Sequence, residues 1–97
     1  MVYTVEQIAQ CVLPVAQKYG LKAVYLFGSY ARGDMTSGSD IDLRIDKGSI
    51  RGFQLAGLLL DLEDSLGVPV DLIPTTSLDQ HFLDSIRKDE VLLYEAS

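Results

Sequence analysis

The chain reads as an α+β domain, with helices alternating with strands and packing against one small β-sheet. Apolar residues recur at helical spacing in three segments, and short β-branched or aromatic runs stand between them. Such alternation within one chain is the mark of a single sheet covered by helices. The size agrees: 97 residues, 47% of them hydrophobic, make one domain over 1–97 with a genuine core. A domain this small buries only about 60–65% of its unfolded surface, so its stability should be modest and open to reinforcement by a partner.

Thr4, with Gln7 three residues on, forms a capping box. Val5, Ile8, Val12, Val15 and Tyr19 follow at helical spacing, and Gly20 stops the helix. Pro14 lies inside it and should kink or divide it, since proline lacks the amide donor and crowds the preceding turn. Residues 22–27, KAVYLF, form a first strand ending at Gly28, and 41–46 a second. Ser49 is positioned to cap a helix over 51–66 that carries Phe53, Ala56, Leu59, Leu60 and Leu66, with Gly67 as its stop. VPVDLI, 68–73, is a third strand, and Pro69 near its start places it at an edge or a strand beginning. Ser77 with Gln80 caps a helix over 78–88, with Leu78, Phe82, Leu83 and Ile86 inward, and VLLYE, 91–95, is a short final strand.

The formal net charge is -6. That argues against direct nucleic-acid binding, which calls for a basic face, but it admits a nucleotide whose charge is offset by metal ions, and it suits a basic protein partner. Cys11 is the single cysteine, so no internal disulfide is expected and a reducing, cytoplasmic location is. Glu6 and Gln7 break any signal-like run, and no apolar stretch is long enough for a membrane span.

The chemistry concentrates between residues 28 and 44. Side chains alternate along a strand, so Asp40, Asp42 and Arg44 face one way and Ile41, Leu43 and Ile45 the other. The apolar set belongs in the core. The two aspartates have Cα atoms roughly 6.5–7 Å apart and suit a shared divalent cation. Asp71 lies opposite Val70 and Leu72 in the next strand and joins them if the two strands are neighbours with matching faces. Three converging carboxylates raise one another's pKa and call for a hard cation such as Mg²⁺, which completes its shell with water and substrate phosphates. The 13-residue connection 28–40 is long for so small a domain. Gly28 permits close backbone approach, Ser29 offers a hydroxyl and an amide, a helical turn over 30–33 favours an anion, and Arg32 suits phosphate oxygens or a surface ion pair. A phosphate cradle followed by a metal-binding strand suits a nucleoside triphosphate.

"GS" at 28–29, ten residues, then "DID" at 40–42 resembles the G-S-x(10)-D-x-D signature of the polymerase-β-like nucleotidyltransferase superfamily. "GSYARG" followed by "SDIDL" is similar to its minimal nucleotidyltransferase (MNT) branch, and Asp71 falls where that family places a third carboxylate. The resemblance spans nearly the whole chain. It implies the nucleotidyltransferase fold with a small mixed sheet, and transfer of AMP from ATP to a hydroxyl. It implies a two-metal Mg²⁺ site at Asp40, Asp42 and Asp71, with Gly28, Ser29, Arg32 and Ser39 on the nucleotide. Free-standing members are antitoxins that pair with a HEPN-domain RNase toxin, so the implied acceptor is a toxin tyrosine. Neutralisation by binding alone, and small-molecule modification with a partner subunit, are the alternatives.

Other residues have plainer readings. Arg44, on the acidic face, is a structural ion-pair partner for Asp42 or Asp71. His81 is a solvated helix residue, and Cys11 packs. Leu58 to Leu62 exceed one buried stripe, which suggests an interface to a second copy or to a toxin.

Overall fold

A computed structural model describes residues 2–48 and 50–96. Four strands form one mixed sheet in the order β3-β2-β1-β4: β1 Ala23–Phe27, β2 Ile41–Asp46, β3 Val70–Pro74 and β4 Val91–Glu95. The helices are α1 Val5–Tyr19, α2 Ser29–Arg32, α3 Leu55–Leu66 and α4 Gln80–Arg87. β1 pairs antiparallel with β2 and with β4, while β2 and β3 run parallel.

One face of the sheet is the core. Val24 and Leu26 of β1 and Ile41, Leu43 and Ile45 of β2 are fully buried there. Ile8, Val12 and Ala16 of α1 and Leu58, Leu62 and Leu66 of α3 close over them. The two helices are also tied by polar contacts. Tyr3 donates its hydroxyl to the Leu66 carbonyl, and Ser65 Oγ donates to the Cys11 carbonyl at 3.1 Å. Lys18 and Tyr19 both reach Asp61 Oδ2, at 3.0 and 2.7 Å. Cys11 packs against the core, as its neighbours suggest.

The capping box at Thr4 and Gln7 is present, and Gly20 ends α1 in the left-handed conformation. Pro14 does not divide α1: the helix runs unbroken through it, with Pro14 itself exposed. One lost backbone bond on a solvent-facing side is outweighed by the buried stripe on the other. The face of α3 also differs from expectation. Leu66 is buried and Leu59 packs against the core as expected, but Leu58 and Leu62 complete the buried set, whereas Phe53 and Leu60 are 83% and 65% exposed. Gly52–Gln54 form a 3-10 turn before the helix proper, which resets its phase. The proposed cap Ser49 lies outside the described residues. β3 starts at Val70, two residues later than expected, and is an edge strand, as Pro69 implied. α4 is capped by Asp79, whose carboxylate accepts from the Phe82 amide at 2.8 Å. Ser77 belongs instead to the preceding 3-10 turn. β4 spans the expected residues.

Candidate active site

The second face of the sheet carries Phe27, Asp42, Arg44 and Asp71, and α4 stands beside it. Asp42 is central. Its partner across the antiparallel ladder is Phe27 and across the parallel ladder is Asp71. In-register neighbours present side chains to the same face, so the juxtaposition of Asp42 and Asp71 follows from strand pairing. Asp40 stands just before β2, exposed.

β1 delivers the chain into the loop at Gly28, whose φ of 74° and ψ of -151° lie in a region that only glycine adopts readily. The space is as restrictive as the backbone: a Cβ here would lie 2.1 Å from Asp42 Oδ2. The absent side chain of Gly28 is what admits the Asp42 carboxylate. Helix α2 starts immediately. The Ala31 and Arg32 amides donate to the Gly28 carbonyl at 3.1 and 3.0 Å, which leaves the Ser29 and Tyr30 amides outside the helix's own bonds. Tyr30 anchors the turn, being 2% exposed within the core.

These groups line one wall of a cleft of about 430 Å³. Gly28, Ser29, Arg32 and Asp42 form that wall, and Phe82, Ser85, Ile86 and Asp89 form the other. The Asp42 carboxyl is pushed above its ordinary range, first by desolvation and then by the charges of Asp71 and Asp40, with Arg32 opposing. Arg32 lines the cleft, and its Nε donates to Asp34 Oδ2 at 3.2 Å, which is the surface ion pair read from the sequence. Ser39 is used differently: its Oγ accepts from the Thr36 amide at 2.9 Å and closes a local turn away from the cleft lining.

The donor set fits Mg²⁺ by its chemistry. All candidate ligands are hard carboxylate oxygens, and their mutual repulsion, which adds to desolvation in raising the Asp42 pKa, is what a cation relieves. Among the described residues no three acidic, histidine or cysteine side chains converge as a ready cage. The three-carboxylate convergence of Asp40, Asp42 and Asp71 expected from the sequence is therefore not formed here: Asp42 lines the cleft, whereas Asp40 and Asp71 are exposed and do not line it.

A family model for polymerase beta nucleotidyltransferases matches residues 10–97. The chain belongs to the polymerase beta nucleotidyltransferase family. Within the same range of similarity, a Methanocaldococcus jannaschii protein named as a putative protein adenylyltransferase is 32% identical over 90% of this chain and 95% of its own length. The protein adenylyltransferase MntA of Thermococcus cleftensis is 30% identical over 77% of each chain. In three dimensions the chain is similar to one in the complex of tri-AMPylated Shewanella oneidensis HEPN toxin with MNT antitoxin, with a TM-score of 0.72 and 19% identity over 96% of this chain and 74% of that one. The nucleotidyltransferase fold read from the GS and DID motifs is therefore the observed one, and this chain is a nucleotidyltransferase.

Two features escaped the sequence reading. Arg44 pairs with neither Asp42 nor Asp71. It is 4% exposed, donates from Nε and Nη2 to Glu90 at 3.1 and 2.7 Å and from Nη1 to Thr75 Oγ1 at 2.9 Å, and stacks 3.9 Å over the Tyr25 ring. The structural role was legible, but the partner comes from 46 residues away. The α4 wall was missed as well. Phe82, expected inward, is 40% exposed and meets Phe27 edge-to-face at 6.4 Å. The spacing of Phe82, Ser85, Ile86 and Asp89, at i, i+3, i+4 and i+7, was the available signal.

Proposed function

We propose that this nucleotidyltransferase transfers AMP from ATP to a tyrosine hydroxyl of a HEPN-domain RNase toxin and thereby acts as its antitoxin. The observation that carries the reading is the Asp42 carboxylate, seated against Gly28 with Asp71 in register beside it. The relatives named as protein adenylyltransferases support the reaction class. The fold shared with an MNT antitoxin complex supports the partner, and a net charge of -6 suits a basic, RNA-cleaving one.

In this reading the Ser29 hydroxyl and the Ser29 and Tyr30 amides receive the triphosphate, and Arg32 offsets its charge. Asp40 and Asp42 would hold one Mg²⁺, and Asp71 would share a second. When bound, the metal neutralises phosphate charge and lowers the pKa of the acceptor hydroxyl. The acceptor oxygen attacks the α-phosphorus in line, the bond from that phosphorus to the β-phosphate bridge oxygen breaks, and pyrophosphate leaves. The hydroxyl proton passes to Asp71. The protein's contribution is positioning and charge stabilisation.

The test is Mg²⁺-dependent labelling of a co-expressed HEPN protein with α-labelled ATP. Wild type should label it, a tyrosine should carry the AMP, and Asp40→Asn with Asp42→Asn should abolish the signal with the fold intact. Full protection of cells by that double variant would mean that binding alone neutralises the toxin.

A further inference from the structure

The cleft has two chemically unlike walls, and the nucleotide-transfer reading uses only one of them. The Ser29 and Arg32 wall offers amides and a cation. The α4 wall offers an aromatic ring, an apolar side chain and two hydrogen-bond acceptors. Phe82 holds 40% of its surface open and lines the cleft together with Phe27, whose ring meets it edge-to-face at an interplanar angle of 89°. A large aromatic face held rigidly at a cleft is a stacking platform. The Ser85 hydroxyl gives its proton to the Phe82 carbonyl at 2.7 Å, so it faces a ligand with lone pairs only. Asp89 also lines the cleft and enters no salt bridge among the described residues, unlike its neighbour Glu90.

Such a wall repels phosphate and suits a flat, uncharged group that donates hydrogen bonds. We propose that α4 and the turn after it form the nucleobase subsite, with the base stacked on Phe82 and its exocyclic amine donating to Asp89. The site thereby selects nucleoside triphosphates whose base carries an amino group. This rests on the triphosphate lying against Ser29 and Asp42, as set out above. The cleft volume, about 430 Å³, is in the range of small-ligand sites.

The experiment compares binding of ATP, inosine triphosphate and inorganic tripolyphosphate to the full chain with Mg²⁺ present. Inosine triphosphate replaces the adenine amine with a carbonyl, and tripolyphosphate has no base. Phe82→Ala should weaken ATP roughly tenfold to a hundredfold, the usual effect of losing one base–aromatic stack, and leave tripolyphosphate unchanged. Phe82→Tyr should restore ATP binding. Wild type should prefer ATP to inosine triphosphate several-fold, and Asp89→Ala should bring that ratio close to one. Equal weakening of ATP and tripolyphosphate by Phe82→Ala, or no change in either, overturns the platform. An ATP preference that survives Asp89→Ala overturns the role of Asp89. Ser29→Ala separates the two layers: if tripolyphosphate binding does not respond to it, the phosphate cradle itself is misplaced, whatever Phe82 does.

Discussion

Gly28 and Asp42 are fitted to each other so closely that a single added carbon at Gly28 would overlap the Asp42 carboxylate, 2.1 Å from its Oδ2. The loop and the acidic strand are thus one structural unit, joined where the glycine just after β1 meets the second residue of β2.

Gly28→Ala should therefore fail twice. The backbone conformation alone costs on the order of 1–3 kcal/mol for a residue with a Cβ, and the methyl displaces the carboxylate. Thermal melts should show the loss of stability. Nucleotide labelling should be lost at temperatures where the variant is still folded.

Asp42 should make stability fall with rising pH. Its folded pKa lies above its ordinary 3.8, so the folded chain keeps a proton over a window where the unfolded chain has released it. Stability then declines as pH rises from the ordinary value through the raised one. Asp42→Asn should melt higher than wild type at neutral pH, and the two should converge under acid. Added Mg²⁺ should raise the wild-type melting temperature more than that of the variant.

Glu90→Ala should be among the most damaging changes away from the cleft. It strips Arg44, 4% exposed, of its two shortest ionic contacts and leaves Asp46, at 3.7 Å, as its remaining acidic partner; a wholly uncompensated buried charge costs about 3–5 kcal/mol, and the loss should approach the lower end of that range. Denaturant titration checks this. Replacing Arg44 and Glu90 together by apolar residues should recover much of the loss.

Two leucines two positions apart on α3 should behave oppositely. Leu58, fully buried, should cost about 2–5 kcal/mol on change to alanine. Leu60, 65% exposed, should fall within about 0.5 kcal/mol of neutral on change to glutamine. Equal costs would mean that Leu60 is covered in solution.

The parts of this fold governed by short-range chemistry were legible. The Thr4 and Gln7 cap, the glycine stops at 20 and 67, and the alternation of Asp40, Ile41, Asp42 and Leu43 all depend on neighbours in sequence. So does the helical turn after Gly28. Asp71 was legible only conditionally, because its place depended on β3 lying beside β2. What failed depends on tertiary partners. The face of α3 is set by the turn before it and by α1. Glu90 reaches Arg44 from the far end of the chain, and Phe82 lies partly open against the edge-to-face ring of Phe27 from β1. Ser39 shows a further limit: the resemblance that named it does not fix its hydroxyl, which accepts from the Thr36 amide.

The edge strand β4 and the Arg44 contact to Glu90 come from residues 90–95, whereas the loop and the acidic strand they support come from residues 23–46. Synthesis runs from the N-terminus, so the catalytic motif exists as sequence well before it exists as a braced site. A nascent or truncated chain lacking those last elements would carry every motif residue between Gly28 and Asp71. It would still lack the strand that pairs with β1 and the carboxylate that holds β2 in place. Possession of the signature and competence to use it are thus separated in time along this chain.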